Sequence, residues 1–440
     1  MAGKERLFKV LRHEKTDKVP WVPFVGVHAG KLVGYDATEM LTDGDKLFEG
    51  LIEANKLYRP DGLPVLFDLQ VEAEILGCEL LWAKEAPPSV KTHPLAETDT
   101  IPCLCTLPEK TDGRIPMILD VIQRVKKEIG DTTALYGLIC GPFTLASHLR
   151  GNNIFMDMYD DEDYVKGLVE YATEVCKKMA EYYLDAGVDI IAVVDPLISQ
   201  ISPAHFEQFL QDPFTNIFDY VRQRGAYSSF FVCGDATRNI EVMCKTKPDS
   251  ISIDENVDMI SAKKVTDQYN IAIGGNIPLT TVMLHGTQQD NMKYVVDMLD
   301  SVEHHNLIIS PGCDMPFNTP IENTIAVQQA LNETDQVREM LKNYQSADDD
   351  IDVVLPDYTK LERPLIEVFT LDSATCAACT YMMDAVNVAH EHFGDSIDVI
   401  EYKYTEKENI ARCKKMGVRN LPSIYINGIL KYSSIIPSRS

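Results

Sequence analysis

The sequence has few of the features that mark membrane proteins and nucleic-acid-binding proteins. It contains no apolar run near the roughly 20 residues that span a bilayer, and its charged, amphipathic N-terminus lacks the apolar core of a signal peptide. Positive charge is scarce: 41 Lys and Arg stand against 67 Asp and Glu, for a formal charge of −26 over 440 residues. Phosphate backbones and anionic lipid repel such a surface, so we expect a cytoplasmic protein with no nucleic-acid partner and no membrane partner.

Phosphate-binding motifs and a disulfide scaffold are also absent from the sequence. No GxGxxG or GxxxxGK[ST] motif follows any predicted strand, which removes the usual signatures of dinucleotide and nucleotide sites. The 11 cysteines are spread along the chain, a distribution typical of a reducing compartment. In such a compartment thiols bind metals, carry out redox chemistry or lie buried.

Short β-branched runs alternate with longer helical patterns over about the first 340 residues, which is typical of parallel βα units. The longest helical pattern runs from about Met156 to Leu184. Eight β-branched runs are centred near Val22, Val65, Tyr136, Ile191, Phe231, Ile251, Ile273 and Ile308. This count predicts the α/β fold class with a (β/α)8 TIM-type barrel. A doubly wound open sheet is the competing fold, but it usually has fewer strands and a glycine-rich first turn.

Two domains and a linker are predicted along the chain. Residues 1–342 form the barrel, and residues 343–362, which carry clustered acids and no clear period, form an exposed acidic linker. Residues 363–440 show a strand, a CxxC at the head of a helix, a strand, a helix and a hairpin, in the order βαβαββ.

Polar side chains recur where the predicted barrel strands end, which is where β/α barrels carry out their chemistry. The candidate catalytic residues follow strands one, two, four and seven and are His28, Asp68, Asp195 and Asn276. Glu72 also follows strand two. A lone histidine often serves as a hydrogen-bonded structural residue, and aspartates after strands often cap helices, so structural roles stay open for them.

Two cysteines and a pair of acids follow three further strands. Cys233 follows strand five, Asp254 and Glu255 follow strand six, and Cys313 follows strand eight. A catalytic Zn²⁺ takes three protein ligands and keeps one open position, which the two cysteines and either acid would supply. The cysteines share no tight spacing, so ordinary structural thiols are the alternative.

Nine segments carry a resemblance to a known family: RLFKVLRHEKTDKVPWVPFV, HAGKLVGYDATEM, DGLPVLFDLQVEAEILGCEL, PSVKTHPL, GPFTLASHLRG, VVDPLISQISPAHFEQF, CGDAT, ISIDENVDM and SPGCDMP. In this order they resemble the uroporphyrinogen decarboxylase superfamily over about residues 3–342. Within it they resemble the corrinoid-dependent methyltransferases, which include methylcobamide:coenzyme M methyltransferases. The resemblance implies a β/α barrel enzyme that moves a methyl group between a corrinoid-binding partner protein and a small-molecule donor or acceptor.

The resemblance also implies a set of zinc ligands. Methyltransferase members bind Zn²⁺ through an HxC motif after strand five and a cysteine after strand eight. Cys233 and Cys313 match the two cysteines, but Phe231 stands at the position of the histidine and cannot ligate. Cobalamin-independent methionine synthase, a related barrel, adds an acidic ligand after strand six, where Asp254 and Glu255 stand. The implied set is therefore the two cysteines and one acid.

The first loop differs from that of the decarboxylases, which hold porphyrin carboxylates there with arginines. Here the loop reads GVHAGKLVG, with His28 and Lys31 and no arginine. The loop therefore has no guanidinium group that could bind several carboxylates in bidentate fashion. Two alternatives to methyl transfer stay open: decarboxylation of a smaller carboxylated substrate, and an accessory corrinoid or redox role without catalytic zinc.

The C-terminal segment contains TCAACTYMM, with Cys376 and Cys379 at a helix N-terminus, and RNLPS, with Pro422 before a strand. A helix N-terminus favours the thiolate form, so Cys376 is the expected nucleophile and Cys379 the resolving thiol. Pro422 resembles the cis-proline of the thioredoxin fold, which implies a thioredoxin-like domain with a thiol redox partner. A metal-binding or inert CxxC is the alternative. Related folds continue past the final IPSRS into a last helix, so we expect a truncated or minimal domain.

Overall fold

The computed structural model describes residues 1–346, 351–373 and 376–434. It divides into two compact units, of which the first comprises Met1–Ile198 and Ser202–Tyr344 and the second comprises Ser199–Ile201 and Gln345–Ser440. Among the described residues, no helix combines the length and the apolar character that crossing a membrane requires.

A parallel sheet of seven strands forms the centre of the first unit. Each strand pairs in parallel with the next one along the chain. The strands are β1 (Gly62–Pro64), β2 (Ala134–Cys140), β3 (Ile190–Val194), β4 (Tyr227–Val232), β5 (Ser250–Ile253), β6 (Ala272–Ile277) and β7 (Leu307–Pro311). A separate two-stranded ribbon pairs Leu80–Leu81 with Ser89–Val90.

The segment around Trp21 joins the two edges of this sheet. Trp21 forms an isolated parallel bridge with Ile309 in β7, where the Val22 amide donates to the Ile309 carbonyl at 3.0 Å. On the other side, the amide of Asp61, next to β1, donates to the Trp21 carbonyl at 2.8 Å. The predicted α/β class with a curled, TIM-type parallel sheet is therefore confirmed. The first of the eight predicted strands is reduced to this bridge.

Helices connect the strands, and their apolar faces repeat at helical spacing. Ile115–Ile129, for example, buries Ile118, Ile122 and Val125, which lie three and four residues apart on one face. The helices of the first unit are Gly3–Leu11, His28–Lys31, Ala37–Thr42, Gly44–Tyr58, Val71–Ile75, Ile115–Ile129, Pro142–Arg150, Asn153–Asp160, Glu162–Ala186, Pro203–Phe209, Gln211–Gln223, Ile240–Lys245, Met259–Gln268, Gln288–Ser301, Ile321–Asn332 and Thr334–Met340, with a π-helix at Leu279–Leu284.

Aromatic rings fill the interior of the barrel. The ring of Phe24 lies 4.8 Å from that of Phe231 and 5.8 Å from that of Tyr136, and Phe67 lies 5.8 Å from Phe231. These side chains belong to one buried cluster. The interior is therefore packed with side chains and is not an open pore.

The second unit has a four-stranded sheet and two long helices. β8 (Leu365–Thr370) pairs in parallel with β9 (Asp398–Lys403) and antiparallel with β10 (Ser423–Ile426), which pairs antiparallel with β11 (Ile429–Ser433). Helices Ala377–Phe393 and Lys407–Met416 complete the order βαβαββ that the sequence predicts. The Leu421–Pro422 peptide bond is cis. The expectation of a missing last helix concerns residues 435–440, which lie outside the described residues.

The predicted linker, residues 343–362, differs in part from the exposed spacer that its acidic composition suggests. Its described residues, 343–346 and 351–362, contain no helix or strand. Val353 is nevertheless buried, and its carbonyl accepts from Lys415 Nζ at 2.7 Å. The Tyr358 hydroxyl donates to Glu367 Oε2 at 2.9 Å. This part of the segment packs within the second unit because its apolar and aromatic side chains outweigh the neighbouring acids.

Candidate active site

The structure brings together Cys233 and Cys313, which follow β4 and β7. Their sulfurs form a disulfide, and their Cα atoms are 5.9 Å apart although 80 residues separate them along the chain. Both side chains are half-buried and pack against the aromatic cluster of the barrel interior. The pair therefore lies at the edge where parallel strands end, which in this architecture is the functional face.

Phe231 occupies the position at which the resemblance implies a histidine. Strand side chains alternate between faces, so Phe231 projects to the same side of β4 as Cys233. The Phe231 ring is fully buried against Phe24 and Phe67. An aromatic ring of the core therefore stands where an imidazole ligand would be needed.

The turn after β5 places Asp254 beside one cysteine. The Asp254 carboxylate accepts from the backbone and the side-chain amide of Asn256, at 2.9 and 2.5 Å, and from the backbone of Gly234, the neighbour of Cys233. Burial raises the pKa of Asp254, and these hydrogen bonds oppose the shift. This acid is close to the disulfide, but its oxygens already have partners.

Glu255 lies beside the other cysteine. A Cβ added at Gly312, the neighbour of Cys313, would lie 2.8 Å from the Glu255 amide nitrogen and 3.4 Å from Glu255 Cβ. Burial, reinforced by the charge of Asp254, raises the pKa of Glu255 to about 8. The turn that carries both acids therefore runs past Gly234 and Gly312, the neighbours of the two cysteines.

The donor types in this region suit zinc, but only in the reduced state. Thiolate sulfur and carboxylate oxygen both bind zinc, whereas sulfurs bonded to each other are not thiolates. Among the described residues, no group of three His, Cys, Asp or Glu side chains is placed to hold a metal ion. The described residues therefore supply donor types that suit zinc without the three-ligand arrangement that holds the ion.

His28 has a partner at each ring nitrogen. Nδ1 lies 3.0 Å from the carbonyl oxygen of Phe317, and Nε2 lies 2.6 Å from the hydroxyl of Tyr58. Burial lowers the pKa of His28 to about 4, so the ring is neutral at neutral pH. A neutral ring can donate to the carbonyl and accept from the hydroxyl, which favours the structural role over metal ligation or acid–base work.

Asp68 and Asp195 are also held by structural contacts. Asp68 accepts from Arg114 Nη1 at 2.7 Å and from the amide of Gln70 at 2.8 Å. Asp195 accepts from the amides of Phe143 and Thr144 at 2.9 and 3.1 Å. Asp195 therefore caps the helix after β2 from across the sheet, and not the helix that follows it.

Asn276 links two strand ends. Its Nδ2 donates to the carbonyls of Asp254 and Val257, at 2.9 and 2.7 Å, and its Oδ1 accepts from the Tyr294 hydroxyl at 3.1 Å. These bonds hold the turn that carries both candidate acidic ligands. Asn276 is thus placed to position that turn.

Two acids stand out in the structure although neither is predicted from the sequence to be catalytic. Glu72 is buried, accepts from the Cys140 amide at 3.1 Å, and has no partner for Oε2 among the described residues. Burial raises the pKa of Glu72 to about 8 and that of Asp314 to about 7. The sequence shows that both acids follow predicted strands, which is a signal for a functional position. It does not show that they are buried.

Comparisons with known proteins fit this geometry. The family model of uroporphyrinogen decarboxylase (URO-D) matches residues 2–334. The methylcobamide:CoM methyltransferase MtbA of Methanosarcina acetivorans is 27% identical over 327 residues, which are 73% of this chain and 94% of MtbA. A uroporphyrinogen decarboxylase of Nostoc punctiforme is 23% identical over 287 residues, which are 63% of this chain and 80% of that enzyme.

A solved structure shares the fold. A methyltransferase from Methanosarcina mazei, 24% identical, superposes with a TM-score of 0.69 over 76% of this chain and 99% of its own. The family match covers most of the first unit and ends before Gln345, where the C-terminal segment of the second unit begins. Relatives of the barrel thus include both methyltransferases and decarboxylases, and the chain belongs to the uroporphyrinogen decarboxylase family.

Proposed function

We propose that this protein is a zinc-dependent methyltransferase that moves a methyl group between a corrinoid and a small molecule. The corrinoid is carried by a separate protein, and the small molecule is a thiol or another methyl donor or acceptor. The observation that carries the proposal is the meeting of Cys233 and Cys313 where β4 and β7 end. Similarity to MtbA, whose name describes methyl transfer from methylcobamide to CoM, supports it.

In the reduced protein, Cys233, Cys313 and either Asp254 or Glu255 would hold the zinc ion. Zinc bound there supplies Lewis acidity, which keeps a thiol deprotonated at neutral pH. Phe231 and its aromatic neighbours form an apolar floor beneath the sulfurs and exclude water from that side. Asn276 holds the turn that carries the acids, through its hydrogen bonds to Asp254 and Val257.

The first loop favours methyl transfer over decarboxylation of a polycarboxylate. Lys31 is the cation of this loop. Its Nζ donates to Asn318 Oδ1 at 2.6 Å and lies 5.8 Å from the centroid of the Phe317 ring. His28 in the same loop is buried and neutral at neutral pH. A substrate with several carboxylates would therefore find little free positive charge in this loop.

The second unit is proposed as a thioredoxin-like dithiol domain. Its strand order, with β8 between a parallel β9 and an antiparallel β10, supports this assignment. Cys376 caps the helix Ala377–Phe393, and its sulfur accepts from the Cys379 amide at 3.3 Å. Pro422 stands directly before β10, the position of the proline in that fold.

The test combines metal content with methyl transfer. The full chain is reduced, incubated with Zn²⁺ and desalted, and we expect about one zinc per chain. We expect Cys233→Ser and Cys313→Ser each to lose the bound zinc. Each variant should also lose transfer of the methyl group from methylcobalamin to 2-mercaptoethanesulfonate. Cys103→Ser changes an exposed cysteine of the same unit and is the matched control, which should keep both.

Three outcomes would contradict the proposal. If the reduced wild-type protein binds no zinc and transfers no methyl group, the metal mechanism is wrong. Release of CO₂ from small carboxylic acids would identify a decarboxylase. Binding of a methylated corrinoid protein without transfer, with or without added zinc, would identify an accessory role.

A further inference from the structure

A cavity lies at the end of the barrel opposite Cys233 and Cys313. Asp61 and Thr133 line it, and they directly precede β1 and β2. Parallel strands all begin at one edge of a sheet, whereas the two cysteines follow strands that end at the other edge. The cavity is therefore separate from the candidate active site, and it belongs wholly to the first unit.

The walls of the cavity come from segments that are far apart in the chain. They include the first helix, the segment before the Trp21 bridge, the end of the helix Gly44–Tyr58 and a helix near the end of the unit, which contribute Arg6, Lys18, Arg59 and Gln328. The volume of about 470 Å³ lies in the range of about 300–1,000 Å³ that is typical of small-molecule sites. A ligand larger than a bare phosphate ion can therefore occupy the cavity and contact several segments at once.

The walls are basic, although the whole protein carries a formal charge of −26. Four cationic side chains and one anionic side chain line the cavity: Arg6, Lys18, Lys56, Arg59 and Asp61. Both carboxylate oxygens of Asp61 have partners, since they accept from Arg6 Nη1 at 2.5 Å and from the Trp21 amide at 2.7 Å. Arg6 is also paired with Asp17 at 2.7 Å, and the exposed Lys56 pairs with an acid of its own helix. The remaining positive charge therefore lies on the other two cations.

Lys18 and Arg59 have no carboxylate partner among the residues that the structure describes. Lys18 Nζ donates to Asn332 Oδ1, which is a neutral acceptor. Burial lowers the pKa of Lys18, and the charge of Arg6 adds to this shift, which nearby carboxylates only partly offset. The Arg59 side chain makes no hydrogen bond and no ion pair with any described residue. An anion in the cavity would supply both side chains with the counter-charge that they lack.

The backbone at Arg59 does not favour an arginine on conformational grounds. Its φ of 43° and ψ of 55° lie in the left-handed region, at the point where the helix Gly44–Tyr58 ends. Glycine is the residue most often found in this position, because a Cβ is disfavoured there. Since no described polar partner offsets this cost, binding an anion is the role that its place in the cavity wall leaves for the guanidinium group.

The neutral side chains of the wall also offer donors. Asn55 Oδ1 accepts from Thr133 Oγ1 at 2.9 Å, and its Nδ2 has no described partner. Gln328 is half-buried, and its amide makes no hydrogen bond within the described part of the chain. A phosphate group and sugar hydroxyls present the acceptor oxygens that such a wall requires. No aromatic side chain of the described residues lines the cavity, so a nucleobase would lack a stacking partner.

We propose that this cavity binds a sugar phosphate. Lys18 and Arg59 hold the phosphate group, for which a guanidinium fork and an ammonium group are well suited. Asn55 and Gln328 contact the hydroxyl groups of the sugar. The bound ligand joins segments from both ends of the barrel sequence and so stabilises the folded barrel. The inference is independent of zinc and of methyl transfer.

The test compares four probes by isothermal titration calorimetry on the full chain: ribose 5-phosphate, ribose, inorganic phosphate and adenosine 5′-phosphate. We expect about one ribose 5-phosphate per chain, bound at least about 10-fold more tightly than inorganic phosphate, and no binding of ribose. Saturating ribose 5-phosphate should also raise the melting temperature of the chain.

Arg59→Gly separates binding from folding, because it removes the guanidinium group and relieves the backbone at the same position. We expect at least about 10-fold weaker binding of ribose 5-phosphate, with no decrease in the melting temperature of the ligand-free chain. Lys18→Gln should weaken binding by a similar factor. Lys293→Gln is the control, since Lys293 pairs with Asp297 outside the cavity, and its affinity should equal that of wild type.

Four results would overturn the proposal. One is the absence of ribose 5-phosphate binding at concentrations up to about 10 mM. Another is equal affinity of wild type and Arg59→Gly. Inorganic phosphate that binds as tightly as ribose 5-phosphate would identify a simple anion site, and adenosine 5′-phosphate that binds at least about 10-fold more tightly would identify a nucleotide site.

Discussion

Glu72 is an acid whose second oxygen lies buried without a partner. Burial raises its pKa from 4.5 to about 8, so the folded protein holds a proton that the unfolded chain releases. An acid with a raised pKa contributes stability that is fully present below the unfolded value and is lost as pH rises through the folded value. Stability should therefore fall between about pH 4.5 and 8 on account of this residue.

Glu72→Gln should flatten this part of the pH profile. The amide does not titrate and keeps an oxygen for the Cys140 amide. We expect the loss of unfolding free energy between pH 5 and pH 8 to be smaller than in wild type by on the order of a few kcal/mol. Urea unfolding at both pH values measures it, with exposed Glu170→Gln as the control. Parallel profiles of wild type and Glu72→Gln would show that the group ionises freely.

The sequence predicts where chemistry gathers better than it predicts which side chains are free to act. The meeting of Cys233 and Cys313 could be predicted because both follow strands of one parallel sheet. The capping role of Asp195 could not be predicted, because its partner amides at Phe143 and Thr144 lie 52 and 51 residues away in the chain. The local sequence around an aspartate gives no sign of which distant amides it will meet.

At the level of elements, the first strand shows how proline limits a prediction based on apolar runs. Pro20 and Pro23 flank Trp21 and Val22, and proline has no amide hydrogen to donate to a ladder. The pairing with β7 therefore shrinks to a bridge. The β-branched run is there, but its backbone cannot continue the sheet.

The longest predicted helix is also divided. The pattern from Met156 to Leu184 forms two helices, Asn153–Asp160 and Glu162–Ala186, because Asp161 leaves the helical conformation. Its carboxylate accepts from the Tyr164 amide at 3.1 Å and caps the second helix. Apolar periodicity runs through the break and so hides it from the sequence.

The turn between β2 and the helix Pro142–Arg150 depends on the absence of a side chain at Gly141. A Cβ there would lie 2.4 Å from Asp195 Cβ and Oδ2, although the backbone angles of Gly141 suit any residue. We expect Gly141→Ala to lower the free energy of unfolding by about 1–3 kcal/mol through displacement of the Asp195 cap. Chemical denaturation measures the change.

Gly274→Ala is the matched control for this element, since its Cβ would lie 3.4 Å from Ser252 Oγ, an ordinary contact. We expect it to change stability by less than about 1 kcal/mol. Equal effects at the two glycines would show that the Asp195 contact is not what makes Gly141 necessary.

For the molecule as a whole, the Cys233–Cys313 disulfide closes a loop that contains three strands of the barrel, β5 to β7. Cross-linking an 80-residue loop stabilises a fold by about 4.5 kcal/mol in the chain-entropy description. Reduction should therefore lower the denaturation midpoint of the metal-free wild type. The double variant Cys233→Ser/Cys313→Ser should not respond to the reductant, and an unchanged wild-type midpoint would contradict the expectation.

The bridge at Trp21 has a consequence for the order in which the chain is made. During synthesis, the segment that closes the barrel leaves the ribosome early, but its partner Ile309 follows 288 residues later. Until then both sheet edges expose unpaired backbone groups, which invite pairing with other chains. The nascent barrel must therefore wait for its seventh strand before its first segment is paired on both sides.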